Sequence, residues 1–148
     1  MRKKDDSAER IAALLEGIVR RQRRASWEQL GALDVTPAQV RVLRTLHHAG
    51  AAIRVSDLAA RLGIVPRSAT SVVDDLETAG LVRRAADPGD RRATLVSMTA
   101  KGARVLAAVR RSKRDATVAL VERLDRSERE QLLSLLARLA PDDAVEDR

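Results

Sequence analysis

The segment from residue 56 to residue 98 constrains the fold more than any other part of this 148-residue chain. Ser56 can cap a short helix that ends before Gly63, and Pro66 begins a second helix that runs to Gly80. Two short helices separated by a glycine-containing turn are typical of a helix-turn-helix unit. Small helical bundles contain such turns too, so the segment that follows decides the interpretation.

A predicted β-hairpin follows the second helix directly. Residues 81–85 and 93–98 are predicted as short strands, and the polar segment between them holds Asp87-Pro88-Gly89-Asp90, a strong turn sequence. The tip of this hairpin carries Asp90, Arg91 and Arg92. A helix-turn-helix followed at once by a hairpin predicts a winged helix.

Long amphipathic helices are predicted on both sides of the winged helix. The first runs from Ala8 to about Leu30, with an apolar stripe at Ile11, Leu14, Leu15, Ile18 and Val19. Thr99 caps a second helix that runs to about Leu124. Ser127 and Glu130 predict a capping box for a last, leucine-rich helix that ends before Pro141.

These outer helices carry more leucine than one winged helix can cover. The simplest cover is a second copy of the same chain. We therefore predict a mostly α fold with a small β-hairpin wing. Residues 34–98 form the winged helix-turn-helix DNA-binding domain, and residues 1–33 and 99–148 form a helical dimerisation region.

Composition excludes several classes of protein. Trp27 is the only aromatic residue, which disfavours the base-stacking platforms that bind single-stranded nucleic acid. The chain has no cysteine, so disulfides, thiol switches and cysteine-ligated zinc are excluded. No apolar run approaches the roughly 18 residues of a membrane span, and the charged N-terminus does not resemble a signal peptide. We expect a cytoplasmic protein that has no membrane partner.

The charge balance indicates a nucleic-acid partner. The net charge is +7, from 28 Lys and Arg against 21 Asp and Glu, although a coding bias towards Arg and Ala explains it equally well. Residues 54–98 hold seven arginines and six acids, so this segment is nearly neutral. Recognition there must depend on the placement of side chains.

The sequence offers no catalytic or cofactor-binding constellation. His47 and His48, the only histidines, are adjacent on a helix and therefore point about 100° apart, which disfavours a shared metal. Ser-His-Asp spacing, a glycine-rich phosphate loop and an HExxH motif are all absent. We predict that the protein is not an enzyme and needs no metal or cofactor.

Short polar side chains and arginines mark the candidate DNA-binding surface. Helix N-termini and hydroxyl groups can bind DNA phosphates. Outward residues of the helix that begins at Pro66 can contact base edges, and a wing arginine can enter the minor groove. The alternative is that these residues simply face solvent. The predicted DNA-binding residues are Ser56, Pro66, Arg67, Ser68, Thr70, Ser71, Asp90, Arg91 and Arg92.

Four stretches of the chain resemble the MarR family of multiple antibiotic resistance regulators. They are Thr36-Pro37-Ala38-Gln39, residues 74–82 (DDLETAGLV), Asp87-Pro88-Gly89-Asp90-Arg91-Arg92 with residues 98–102 (MTAKG), and the leucine-rich segment 124–139. The chain departs from the family at Ser71 and Asp75, where Arg is common, and at Met98, where Leu is common. The resemblance implies a homodimer formed by the first and last helices, a winged helix that binds duplex DNA, and a small-molecule effector.

The predicted function is therefore a sequence-specific regulator that binds double-stranded DNA. We expect a homodimer that represses from a pseudo-palindromic operator and is released by a ligand. One alternative is an architectural DNA-binding protein of low sequence preference. Another is a winged helix that docks onto other proteins and does not bind DNA.

Overall fold

The computed structural model describes residues 6–139, apart from the side chains of residues 26–29. The side chain of Trp27 therefore lies outside the described part of the chain. Six helices and three strands follow one another in this range. They are α1 (Asp6–Ala32), α2 (Pro37–Ala49), β1 (Ile53–Arg54), α3 (Val55–Leu62), α4 (Pro66–Thr78), β2 (Val82–Asp87), β3 (Asp90–Met98), α5 (Ala100–Val121) and α6 (Arg126–Leu139). The predicted fold class, mostly α with a small wing, is confirmed.

The core lies among α2, α3, α4 and the sheet. Thr36 and Gln39 form a capping box at the start of α2, and Gly50 and Gly63 end α2 and α3 in the left-handed conformation. The apolar residues on the inner faces of α2, α3 and α4 are buried, except Val72, which is half-buried. The core contains Val35, Val40, Val42, Leu43, Leu46, Leu58, Leu62, Val73, Leu76, Leu81, Val82, Val96 and Leu106.

The sheet contains a strand that the sequence did not reveal. Its order is β1-β3-β2, all antiparallel, and β1 pairs Ile53 with Val96 and Arg54 with Leu95. Because β1 leads directly into α3, the helix begins at Val55 with Arg54 as its N-cap, and no side chain caps it. The predicted N-cap role of Ser56 is therefore wrong: Ser56 lies inside the first turn of α3.

The wing is longer and its turn is tighter than predicted. Strand β2 reaches Asp87 and β3 begins at Asp90, so only Pro88 and Gly89 lie between the paired ends. Arg91 and Arg92 consequently belong to β3 and take its alternating side-chain directions. The prediction that these residues lie in a loop at the tip is wrong.

The start of α5 is fastened to the end of α4. Thr99 caps α5 as predicted, accepting from the Gly102 N–H at 3.1 Å and donating to the Gly80 carbonyl at 2.7 Å. The Lys101 ammonium donates to the Ala79 carbonyl at 2.7 Å. A Cβ at Gly102 would lie 2.1 Å from the Leu81 carbonyl oxygen, so only glycine allows this approach.

The chain divides into two compact units, Met1–Lys113 and Arg114–Arg148. In the second unit, α5 ends at Val121, before the predicted Leu124, and α6 begins at Arg126. Its capping box joins Asp125 and Glu128, whose side chains accept from each other's backbone N–H groups at 2.9 Å. The predicted Ser127–Glu130 box is wrong, because Glu130 accepts from the Arg126 guanidinium.

Large apolar side chains are exposed on the outer helices. On α1 the whole predicted stripe is exposed, and on α6 Leu133, Leu135, Leu136 and Leu139 are 47–75% exposed. Within the described range, no helix combines the length and the apolarity needed to cross a bilayer.

Candidate nucleic-acid interface

A groove of about 450 Å³ opens where α3, α4 and the wing meet, and we call it the wing groove. Helix α3 contributes its first residues, α4 its second turn, and the wing the start of β3. Four of the predicted DNA-binding residues converge here, from three elements. The groove is lined by Arg54, Val55, Ser56, Thr70, Arg84, Asp90, Arg92, Ala93 and Thr94.

The alternation of β3 distinguishes the two wing arginines. Val96 is buried in the core, and residues two and four positions earlier, Thr94 and Arg92, share its face of the strand. Arg92 accordingly lines the wing groove, whereas Arg91 lies on the opposite face and is exposed. Among the described residues, neither guanidinium forms an ion pair.

Five predicted residues lie outside the wing groove. Pro66, Arg67, Ser68 and Ser71 occupy the first turns of α4, and all four are exposed. Arg91 is the fifth. Pro66 takes the first helical position, and no side chain caps this helix end. The first turns of α4 therefore present an open N-terminus beside the groove.

Thr70 has a defined hydrogen-bonding state. Its hydroxyl donates to the Pro66 carbonyl at 3.0 Å, as threonine often does one turn back along a helix. The hydroxyl hydrogen is thereby used within α4. Thr70 then offers only oxygen lone pairs and a methyl group to a partner, which suits an exocyclic amine or a thymine methyl group.

An ion pair that the sequence did not reveal holds the wing to the helices. The Arg54 Nε donates to an Asp87 carboxylate oxygen at 2.6 Å, across 33 residues of sequence. The Gly89 N–H and then the Arg54 guanidinium lower the pKa of the Asp87 carboxyl below its ordinary value. Asp87 in turn raises the pKa of Arg54. The turn end of the wing is thus fixed to the start of α3.

Asp90 shapes the wing turn through the backbone. Its carboxylate accepts from the Arg92 N–H at 3.0 Å, and Asp87 accepts from the Gly89 N–H at 2.8 Å. The ion pair at this site joins Arg54 and Asp87. Among the described residues, neither Asp90 nor a wing arginine holds the tip through an ion pair.

Arg84 connects the wing to α4 and uses its charge within the protein. Its guanidinium pairs with Asp74 and with Glu77, and it also donates to the Thr70 carbonyl at 3.2 Å. Arg84 and Arg54 together neutralise three of the six acids of segment 54–98. The arginines left without an acidic partner in this segment include Arg67, Arg91 and Arg92, of which Arg92 lines the wing groove.

Comparison with known proteins decides the family. Residues 35–94, which include every residue that lines the wing groove, match the MarR family. An HTH-type transcriptional regulator of Mycobacterium bovis, Mb0904, is 35% identical over 129 residues, which are 87% of this chain and 90% of that protein. The chain belongs to the MarR family.

Solved structures of MarR-family regulators share this fold. The YusO protein from Bacillus subtilis is 26% identical and superposes with a TM-score of 0.80, over 93% of this chain and 97% of that one. Wild-type MarR from E. coli, in its apo form, is 29% identical with a TM-score of 0.68, over 88% and 96% of the two chains. As a member of this family, the protein is a DNA-binding transcriptional regulator and not an enzyme.

The wing motif, one of the four stretches that resemble the MarR family, separates into three groups of residues. Thr99, Lys101 and Gly102 fasten α5 to the end of α4 and have a structural role. Asp87 and Asp90 shape the turn. Arg92 alone of the motif's charged side chains both lines the wing groove and lacks an acidic partner among the described residues.

Proposed function

We propose that this MarR-family protein is a homodimeric, sequence-specific repressor that binds a pseudo-palindromic operator and is released by a small anionic ligand. The observation that carries the proposal is the wing groove, in which Ser56, Thr70 and Arg92 converge from three elements. The winged helix of residues 34–98 binds the duplex, and residues 1–33 and 99–148 hold the dimer. The protein acts in the cytoplasm, where its DNA target lies.

Two kinds of DNA contact follow from the placement of these side chains. Ser56, Ser68 and Arg92 suit phosphates or the narrow minor groove, and they set the position of the protein on the duplex. Arg67, Thr70 and Ser71 are exposed on α4 and suit base edges in the major groove. Pro66 and Asp90 support these contacts by starting α4 and shaping the wing turn.

The exposed apolar faces of α1 and α6 support a homodimer. Leu14 and Leu133 are 67% and 70% exposed, and their neighbours at helical spacing are exposed as well. A second copy of the chain offers the same faces, as a two-fold interface requires. Two winged helices related by a two-fold axis match two half-sites about one helical turn apart, or roughly 10 base pairs.

A second cavity, of about 700 Å³, supports a response to a ligand, and we call it the cationic cleft. Its lining includes apolar residues such as Leu33, Val40 and Val109, together with four cations from three helices: Arg23, Arg41, Arg44 and Lys113. The described residues that line it include no Asp or Glu. This arrangement suits a small molecule with an apolar body and a carboxylate.

Repression and its relief follow from this geometry. A dimer bound at a promoter blocks polymerase sterically. In some dimers the two α4 helices are not spaced to fit the two half-sites. A ligand that binds such a dimer more tightly than it binds the DNA-binding form shifts the population away from the DNA-binding form.

The two wing arginines provide the test of the repressor proposal. The duplex is selected from a random-sequence pool by the wild-type protein, and a scrambled duplex serves as the reference. Affinity for both is measured by fluorescence anisotropy at several salt concentrations. We expect Arg92→Ala to weaken operator binding at least tenfold and to lower the salt slope by about one unit, because one cation–DNA contact is lost. Arg91→Ala should weaken binding less.

Matched controls separate the proposal from its alternatives. Arg10→Ala on α1 removes the same charge outside the wing groove and should leave the salt slope unchanged. Thr70→Val should change which bases are preferred. Equal binding of operator and scrambled duplex would favour the architectural alternative, and no duplex binding would favour the docking module. Wild-type binding by Arg92→Ala across the salt series would contradict the role of the groove.

A further inference from the structure

Arg41 joins the cationic cleft to the helix-turn-helix. It lies on α2 and lines the cleft, and its guanidinium Nη2 donates a hydrogen bond to the Leu62 carbonyl. Leu62 is the last residue of α3, and the turn that leads to α4 begins at the next residue. One side chain therefore faces the cleft and also holds the end of the helix that precedes the DNA-facing helix.

The Leu62 carbonyl has no partner within its own helix, because the last four carbonyls of a helix are left without intrahelical donors. In the turn, the Gly63 N–H donates to the Ala60 carbonyl and the Ile64 N–H donates to the Ala59 carbonyl. Arg41 supplies the donor for Leu62. The Arg41–Leu62 hydrogen bond therefore links α2 to the last residue of α3, where the turn begins. No side chain caps the start of α4, on the other side of this turn.

Arg44 provides an internal comparison on the same helix. It follows Arg41 by three residues and lines the same cleft. Among the described residues, Arg44 forms no hydrogen bond with the turn or with α3. The two arginines therefore present the same charge to the cleft, but only one of them contacts the helix-turn-helix.

We propose that Arg41 is the positioning residue through which an anion in the cationic cleft acts on DNA binding. This inference rests on the ligand-responsive part of the proposed function. A carboxylate forms a charge-assisted hydrogen bond with a guanidinium, and such bonds are stronger than those to a neutral carbonyl. An anion in the cleft draws Arg41 from Leu62, frees the turn, and removes α4 from its DNA-binding position.

The first test needs no ligand. We expect Arg41→Ala to lower operator affinity about tenfold while the salt slope stays that of the wild type, because a positioning residue contributes no phosphate contact. Arg44→Ala should change operator affinity less than about threefold. Arg41→Lys, which keeps one donor and the charge, should restore part of the affinity. Hydrogen exchange at the amides of residues 63–65 should accelerate in Arg41→Ala and stay at the wild-type rate in Arg44→Ala.

The second test uses naphthalene-2-carboxylate, with the uncharged naphthalene-2-carboxamide as its control. At saturation the carboxylate should lower the operator affinity of the wild type and the amide should not. Arg44→Ala should need more carboxylate and reach the same plateau. Arg41→Ala should still bind the carboxylate, as followed by naphthalene fluorescence, without a further loss of operator affinity.

The outcomes separate this inference from the proposed function. If saturating carboxylate weakens operator binding by the same factor in Arg41→Ala as in the wild type, the role of Arg41 is overturned and the ligand-responsive repressor stands. If the wild type binds its operator but ignores the carboxylate, the ligand-responsive function and this inference fail together. If Arg41→Ala lowers the salt slope by one unit, Arg41 is a DNA contact and its positioning role is overturned.

Discussion

The winged helix and the two outer helices α1 and α6 use the same apolar side chains in opposite ways. Every buried hydrophobic residue in the described range lies between Val35 and Leu106. On α1 and α6, leucines at the same helical spacing are exposed. Amphipathic periodicity thus establishes which face of a helix is apolar, but the covering of that face depends on other parts of the fold or on another chain.

The largest expected effect comes from truncating one leucine in each region. Leu58 is fully buried, so Leu58→Ala should lower the free energy of unfolding by about 2–5 kcal/mol and leave the dimer dissociation constant little changed. Leu14→Ala should raise the dissociation constant of the dimer. The free energy of opening at the core amides should change by less than about 0.5 kcal/mol. Hydrogen exchange of the core amides measures the free energy of unfolding, and sedimentation measures the dimer dissociation constant. Equal losses of core protection in both variants would remove the distinction between the regions.

Substitution of glycine by alanine should have opposite effects on stability at Gly102, which packs against Leu81 of the winged helix, and at Gly17 on α1. Gly102→Ala forces a Cβ against the Leu81 carbonyl and should destabilise the protein by about 1–3 kcal/mol or more. A Cβ at Gly17 on α1 meets nothing within 4 Å, so Gly17→Ala should stabilise the helix by about 0.5–1 kcal/mol. Thermal unfolding checks both values. A stabilising Gly102→Ala would contradict the close packing of α5 against the end of α4.

A smaller, pH-dependent effect should be confined to the wing. The pKa of Asp87 is lowered in the folded protein, so its contribution to stability is present above the ordinary Asp pKa of about 3.9 and is lost as the pH falls through the lowered value. Hydrogen exchange of wing amides, corrected for intrinsic rates, should accelerate over that pH range. Asp87→Asn should remove this pH dependence of the wing amides. Hydrogen exchange in α1 should show the same pH profile in the wild type and in Asp87→Asn. An unchanged profile in Asp87→Asn would assign the transition to another group.

Local signals predicted the elements that depend on local chemistry. The end of α3 at Gly63 and the Thr99 cap of α5 both involve residues within a few positions of each other, and each formed as predicted. Strand β1 was missed because two residues are too few to show a period. The Ser56 cap was wrong because pairing of β1 with β3 determines where α3 begins.

The wing groove was predicted only in part, for a similar reason. Side chains such as Thr70 and Arg92 were found because their residue types suit DNA and lie near a turn or a helix start. The Arg54–Asp87 pair spans 33 residues and has no local pattern. Arg84 looked like any other cation of the segment, and only its contacts with Asp74 and Glu77 reveal its structural role. The longer strands of the wing then determined that Arg92 lines the groove.

Sedimentation equilibrium at micromolar concentration measures whether the outer helices bind a second copy of the chain. The wild type should give about twice the chain mass of 16.2 kDa. Leu136→Asp places a charge on the exposed apolar face of α6 and should give the monomer mass, with operator affinity lowered at least a hundredfold, because one winged helix then binds alone. Ser134→Asp, an exposed polar site on the same helix, should remain a dimer. A wild-type mass of 16.2 kDa with unimpaired operator binding would contradict the account.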